Sequence, residues 1–262
     1  MNSTIKITPF VIALLVGGFA PRSNIRAEES TRQTVKTLPA AVADEMDNLN
    51  HRYWLYLPKR YETQKDRKRP LIIYLHGSSR RGRDIQQVKA NGLPPVLDTK
   101  DDFEFVVASP QALSKYPWQR CWRPDDLTRL LDHLLKKYRI DPDRVYLTGL
   151  SMGGYGVWAC IGEHADRFAA AAPICGGGDP SKAKAIGDLP VWAFHGEDDY
   201  VVPIRRSREM VDAIKAAGGK ARLTSYPGVG HDSFTRTYAN PELYSWFLQQ
   251  VRKPEPHSAP IR

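Results

Sequence analysis

Six short, near-continuous apolar runs recur along this chain, at Leu71–Leu75, Phe103–Ala108, Val145–Leu147, Ala169–Ile174, Val191–Phe194 and Leu223–Tyr226. A strand with one face in water reads as alternation of apolar and polar residues. A continuous run instead fits a strand covered on both faces, as in a parallel sheet. Helical patterns lie between the runs. Leu127, Leu130, Leu131, Leu134 and Leu135 form one stripe, with Pro124, Asp125 and Asp126 at its start and Lys136 and Lys137 at its end, as capping and the helix dipole favour. Further helices are expected over about 154–161, over about 204–217, stopped by Gly218-Gly219, and over 241–251. Strands alternating with helices predict an α/β fold on a mostly parallel sheet, with helices on both faces. His51–Leu57 alternates and reads as a strand at the sheet edge. Residues 28–50, polar and aperiodic, read as a leader to a single domain over 51–252, and the Pro-rich 253–262 as a flexible tail.

The 262 residues suffice for one well-buried domain and are short for two. A hydrophobic fraction of 42% with 10% aromatics excludes a disordered or collagen-like chain. At the N-terminus Lys6 precedes the apolar Ile7–Ala20, and small or apolar residues continue to Ala27, before Glu28-Glu29. This pattern reads as a secretory signal over 1–27, directing the protein to the periplasm or the medium. Its apolar run is shorter than the roughly 20 residues of a membrane span. Loss of Lys6, Arg22 and Arg26 with that segment lowers the formal charge from +9 to +6. The remaining surplus is local: residues 59–69 hold six bases against Glu62 and Asp66, and Arg80, Arg81 and Arg83 follow. No nucleic-acid module with interleaved aromatics accompanies them, so nucleic acid is not an expected partner. The sign of the field favours an acidic polysaccharide or another anionic surface. Cys121, Cys160 and Cys175 match no zinc spacing, and burial is expected for each.

The strongest chemical signal is Gly149-Leu150-Ser151-Met152-Gly153, between the run Val145–Leu147 and a helical stretch. A strand turning sharply into a helix exposes the serine hydroxyl at the carboxyl edge of the sheet, and only glycines two residues either side permit the close packing. A hydroxyl nucleophile needs a base, and the base an orienting acid. Of seven histidines, His76, His195 and His231 fall at the carboxyl ends of strands, where such sheets place their sites. His231 lies in a loop beyond the last strand, from which it can reach Ser151. The acid is then sought in Glu197-Asp198-Asp199, with Asp198 and Asp199 competing. The backbone N–H groups of Met152 and of Ser78, in Leu75-His76-Gly77-Ser78, are the expected oxyanion donors. His76 and His195 are expected to brace loops.

Several longer segments carry a resemblance: LHGSSRRG at 75–82, IDPDRVYLTGLSMGGYGVW at 140–158, FAAAAPICGGGD at 168–179, LPVWAFHGEDDYVVP at 189–203 and YPGVGHDSFTRTY at 226–238. From about 70 to 248 the chain resembles α/β-hydrolases of the carboxylesterase, dienelactone-hydrolase-like and prolyl-oligopeptidase-type group. The resemblance implies one α/β-hydrolase domain, makes Asp199 the acid through its His-Gly-x-x-Asp pattern, and makes His231 the base. Dienelactone hydrolases proper use a cysteine nucleophile, so Ser151 argues against that particular reaction. The chemistry implied is ester hydrolysis through an acyl-enzyme, with no metal or cofactor. Only 47 residues separate Ser151 from Asp199 and 31 separate Asp199 from His231. Neither interval holds a large lid, which suits esters on bulky or polymeric partners, such as carbohydrate-linked acetyl or feruloyl esters. Tyr116, Trp118 and Trp122 follow the second central strand, and Trp118 and Trp122 are the expected stacking surface for substrate. The rival readings are a peptidase of the same fold and a non-catalytic binding module on the same scaffold.

Overall fold

Five of the six apolar runs contribute to interior strands of one eight-stranded sheet; the sixth, Leu223–Tyr226, expected to be covered on both faces, lies instead in an edge strand in which only Tyr226 is buried. The computed structural model describes residues 32–100 and 102–252 in addition to Met1. The signal segment expected over 1–27, Met1 aside, and the tail over 253–262 lie outside the described residues. The strands are β1 (Gln33–Thr37), β2 (Leu49–Tyr56), β3 (Arg69–Leu75), β4 (Val106–Ala112), β5 (Ile140–Leu150), β6 (Ala170–Ile174), β7 (Val191–Gly196) and β8 (Ala221–Tyr226). Their order is β1-β2-β4-β3-β5-β6-β7-β8. The first two pairings, β1 with β2 and β2 with β4, are antiparallel, and every pairing from β4 to β8 is parallel. The helices are α1 (Ala40–Ala43), α2 (Leu93–Asp98), α3 (Pro124–Lys137), α4 (Met152–His164), α5 (Ala183–Ile186), α6 (Arg205–Ala216), α7 (Ser233–Ala239) and α8 (Pro241–Gln249).

Successive residues of a strand point to opposite faces, and here both faces are cores. Leu71, Ile73 and Leu75 of β3, Val145 and Leu147 of β5 and Val191 and Ala193 of β7 join one cluster, with α3, α4 and α6 contributing Leu130, Val157 and Ile214. Ile72, Tyr74, Tyr146, Trp192 and Phe194 join the other, closed by Leu97 of α2, Tyr238 of α7 and Phe247 of α8. This is why the sequence shows continuous runs: neither face of a central strand meets water.

One expected boundary needs correction. The leader read over 28–50 is in part an element of the fold, because Gln33–Thr37 pairs with Arg52–Tyr56 along the sheet edge and Ala43 is buried. Backbone hydrogen bonds hold β1, and the Gln33 amide adds bonds to Pro94 O at 2.9 Å and Asp98 Oδ1 at 2.7 Å. Such an edge strand needs little apolar content, and so leaves little trace in hydropathy.

Candidate active site

Ser151 stands between the last residue of β5 and the first of α4, with φ 54° and ψ −117°. Ser151 and Cys175 are the non-glycine residues with positive φ among those described. A serine costs on the order of 1–3 kcal/mol there, so the surroundings must hold it. They do so by backbone contact. Ser151 N–H donates to Ile174 O at 2.9 Å, and Tyr155 N–H to Ser151 O at 3.0 Å. A Cβ on Gly153 would lie 2.0 Å from Leu75 O, and one on Gly154 2.6 Å from Ile174 O. The first turn of α4 is therefore wedged between the ends of β3 and β6, closer than any side chain allows.

The structure brings Ser151, His231 and Asp199 into one row. His231 Nε2 lies 2.9 Å from Ser151 Oγ, and His231 Nδ1 2.8 Å from Asp199 Oδ2. Because a carboxylate only accepts, Nδ1 carries the proton and Nε2 is left to accept from the serine hydroxyl. The second carboxylate oxygen accepts from the Val201 and Val202 N–H groups, each at 2.9 Å. Buried His195 adds its Nε2, 3.2 Å from Asp199 Oδ2 and 2.8 Å from Val202 O. Burial pushes the His195 pKa below its usual value. Asp198 is exposed, and what it offers the base loop is its N–H, donated to Val229 O at 3.0 Å. The loops of acid and base pack directly: a Cβ on Gly196 would lie 2.2 Å from both Val229 O and Gly230 O.

The expected oxyanion donors lie beside this row. A Cβ on Gly77 would come 3.7 Å from Ser151 Cβ, which sets the Gly77-Ser78 backbone against the serine. Ser78 opens a short 3-10 turn over Ser78–Arg80, and Met152 opens α4. First-turn N–H groups have no intrahelical partner, and are free to face a ligand. His76 clips this loop in place. Ala112 N–H donates to its Nε2 at 3.0 Å, so Nδ1 carries the proton and donates to Gly77 O at 2.7 Å. Complete burial lowers the His76 pKa to about 4 and keeps the ring neutral. Trp122, expected to stack on substrate, is instead buried at 3% exposure beneath this loop. Its Nε1 donates to His76 O at 3.2 Å, and its ring meets the His76 ring edge-on at 4.8 Å. A ring with both faces packed cannot receive a ligand. Trp118 is partly exposed and meets the Tyr155 ring edge-on at 5.1 Å.

Residues 108–248, over half of the chain, match the dienelactone hydrolase family. The chain belongs to that family. The match takes in Ser151, Asp199 and His231 and begins after the Gly77-Ser78 loop. The bifunctional acetylxylan esterase/xylanase XynS20E of Neocallimastix patriciarum is 28% identical over 185 residues, which are 68% of this chain and 26% of that protein. Probable feruloyl esterase C of Aspergillus terreus is 26% identical over 200 residues, covering 73% of this chain and 72% of that protein. The crystal structure of a thermostable esterase aligns with TM-score 0.71 at 35% identity, over 84% of this chain and 64% of that one. Across three curated relatives the chain spans between 26% and 60% of their length.

One residue of this dienelactone hydrolase family site escaped sequence reasoning. Cys175 directly follows β6 with φ 41°, and its Sγ, an Asp199 carboxylate oxygen and a His231 ring nitrogen all lie within 4.8 Å of one another. Sulfur, carboxylate and imidazole are donors that could hold a metal ion, although the hydrogen-bonded row already engages two of the three. Burial raises the Cys175 thiol to about 12, so it stays protonated. The signal in the sequence was the strand-following Cys175, itself followed by Gly176-Gly177-Gly178. Cys121, Cys160 and Cys175 are all buried and unpaired by disulfide. Among the described residues, no helix is long and apolar enough to cross a membrane.

Proposed function

We propose that this chain is an exported serine carboxylesterase. Ser151 Oγ attacks the ester carbonyl carbon while His231 Nε2 takes its proton, and Asp199 holds the imidazole tautomer and steadies the imidazolium. The Met152 and Ser78 N–H groups receive the developing oxyanion. The alcohol leaves with the proton returned by His231; water, activated by the same imidazole, then releases the acid and restores Ser151. The observation that carries this reading is the hydrogen-bonded row from Ser151 Oγ through His231 to Asp199, at 2.9 Å and 2.8 Å. His231 retains 26% side-chain exposure, so substrate approaches from solvent. The substrates are carbohydrate-linked acetyl or feruloyl esters, a choice supported by the names of the two fungal relatives and by Trp118 with Tyr155 as an aromatic wall. Tyr155 is the fourth residue beyond Ser151, and its N–H donates to Ser151 O at 3.0 Å.

The test is a panel of acetyl, butyryl, feruloyl and glucuronoyl esters with chromogenic peptides alongside, run on the purified protein. Ester turnover without peptide cleavage is expected, together with labelling of Ser151 by a fluorophosphonate. Peptide cleavage in place of ester turnover would support a peptidase. Absence of both turnover and labelling would support a binding module.

A further inference from the structure

The basic run over residues 59–69 stands apart from the row of Ser151, His231 and Asp199, and part of it lines a cavity of about 370 Å³. That volume is at the lower end of the range of about 300–1,000 Å³ for small-ligand sites. Lys65, Asp66 and Lys68 line it together with Leu135 and Tyr138, at the end of α3, and Ile140, the first residue of β5. The last residue of β5, Leu150, precedes Ser151. At about 3.3 Å per residue, this eleven-residue strand puts the cavity roughly 30 Å from the nucleophile, at the amino edge of the sheet.

The acids around it are largely taken. Glu62 faces Arg139 at 3.6 Å, and Glu104 faces Arg67 at 3.0 Å. The exposed Lys65 and Lys68 have no hydrogen bond or ion pair with any described residue, and neither has Asp66. Two uncommitted amines therefore meet one carboxylate in the cavity. Lys137, 5.8 Å from the centre of the Tyr138 ring, adds positive charge beside that wall, and with Lys136 offsets the negative end of α3. Amines next to a half-buried aromatic and aliphatic wall fit an anion that has an apolar face. A uronic-acid ring is such a group, with a carboxylate on its edge and C–H bonds on a face that packs against an aromatic ring. A phosphate-rich surface shares the charge but not the fit. The cavity's arginine, Arg139, is committed to Tyr61 O and Glu62, so no free guanidinium fork awaits a phosphate. None of the lining residues is among the exposed large hydrophobic side chains, so the cavity offers no anchor to a lipid bilayer.

We propose that this cavity is an accessory carbohydrate-binding site, in which Lys65 and Lys68 hold a uronate residue of an acidic polysaccharide while an ester on the same polymer reaches Ser151. The binding stands on the cavity alone. The link to turnover rests on the serine-esterase reading above.

Affinity electrophoresis in gels containing polygalacturonate, with dextran as the neutral polymer, tests it. The wild type should be retarded by polygalacturonate and not by dextran, and the retardation should weaken as salt is raised from about 0.05 M to about 0.5 M. Lys65→Gln/Lys68→Gln should weaken binding by about tenfold or more. Lys184→Gln/Lys220→Gln removes the same charge from exposed lysines elsewhere and should leave binding unchanged. Turnover of 4-nitrophenyl acetate should be the same in the wild type and both variants. Turnover of acetylated polygalacturonate at limiting polymer should fall with Lys65→Gln/Lys68→Gln alone. A wild type that does not bind polygalacturonate overturns the proposal. So does equal weakening by the two double variants, which marks a diffuse charge effect, and so does tighter binding to phosphatidylglycerol vesicles or to duplex DNA. Unchanged turnover of the acetylated polymer in a variant that has lost binding overturns the link to the reaction. Binding as expected, with no ester turnover and no fluorophosphonate labelling, defeats the esterase reading and upholds the carbohydrate site.

Discussion

At the scale of single residues, the site depends on which nitrogen of His231 carries the proton. Asp199 accepts from Val201 and Val202 N–H on one oxygen and faces His231 Nδ1 with the other. In Asp199→Asn the amide oxygen keeps the two backbone bonds, which turns the NH2 group towards His231. Nδ1 must then accept, the proton moves to Nε2, and the ring can no longer take the serine proton. We expect kcat to fall by about four orders of magnitude with the fold intact, measured by ester turnover beside circular dichroism. Ser151→Ala should fall further, by about six orders. Ser151 and His231 were legible in the sequence because glycine spacing and strand-end position are local properties. Asp199 could not be separated from Asp198 on chemistry alone. Their difference is one of direction, buried against exposed, which composition does not encode. Trp122 failed for the same reason: a tryptophan near a site reads identically whether it faces the ligand or lies under the floor.

At the scale of elements, α4 is the part that aims the chemistry, and its seat is backbone against backbone. Gly153→Ala would place a methyl group 2.0 Å from Leu75 O and push the helix off β3. Ser151 and the Met152 N–H move with it, so kcat should drop by at least about a hundredfold and thermal stability should fall. Gly218, which follows α6, gives the contrast. Its φ is +85° with nothing within 4 Å of an added Cβ. Gly218→Ala should therefore cost about 1 kcal/mol of backbone strain in a denaturant titration and leave kcat unchanged. The central strands and α3 were legible because burial on two faces, or on one stripe, writes itself into hydropathy. β1 was not, since an edge strand is held by main-chain bonds. α7 was not either: Ser233, Phe234, Thr235 and Thr237 are weak helix formers, and its start depends on Asp232, whose Oδ1 accepts from the Thr235 hydroxyl at 2.6 Å.

At the scale of the whole molecule, two buried imidazoles tie folding to pH. His76 is held at about 4 and His195 below its usual value, in each case chiefly by burial. Unfolding releases both to an ordinary histidine value near 6.5. Their contribution is therefore fully present above about pH 6.5 and is lost as pH falls towards the folded-state values, with His76 alone accounting for on the order of 3 kcal/mol by pH 4. The urea midpoint should decline steadily between neutrality and pH 4.5, and His76→Gln should flatten that decline. A midpoint independent of pH would contradict the assignment. The left-handed backbone of Ser151 pulls the opposite way from stability. Glycine adopts such angles without the steric penalty, so Ser151→Gly should unfold at higher denaturant than the equally inactive Ser151→Ala, by about 1 kcal/mol. Selection for folding alone would erase the hydroxyl. On the esterase reading, the hydroxyl is kept against that cost by the reaction it serves, and a chain released from the reaction would gain stability by taking glycine at this position.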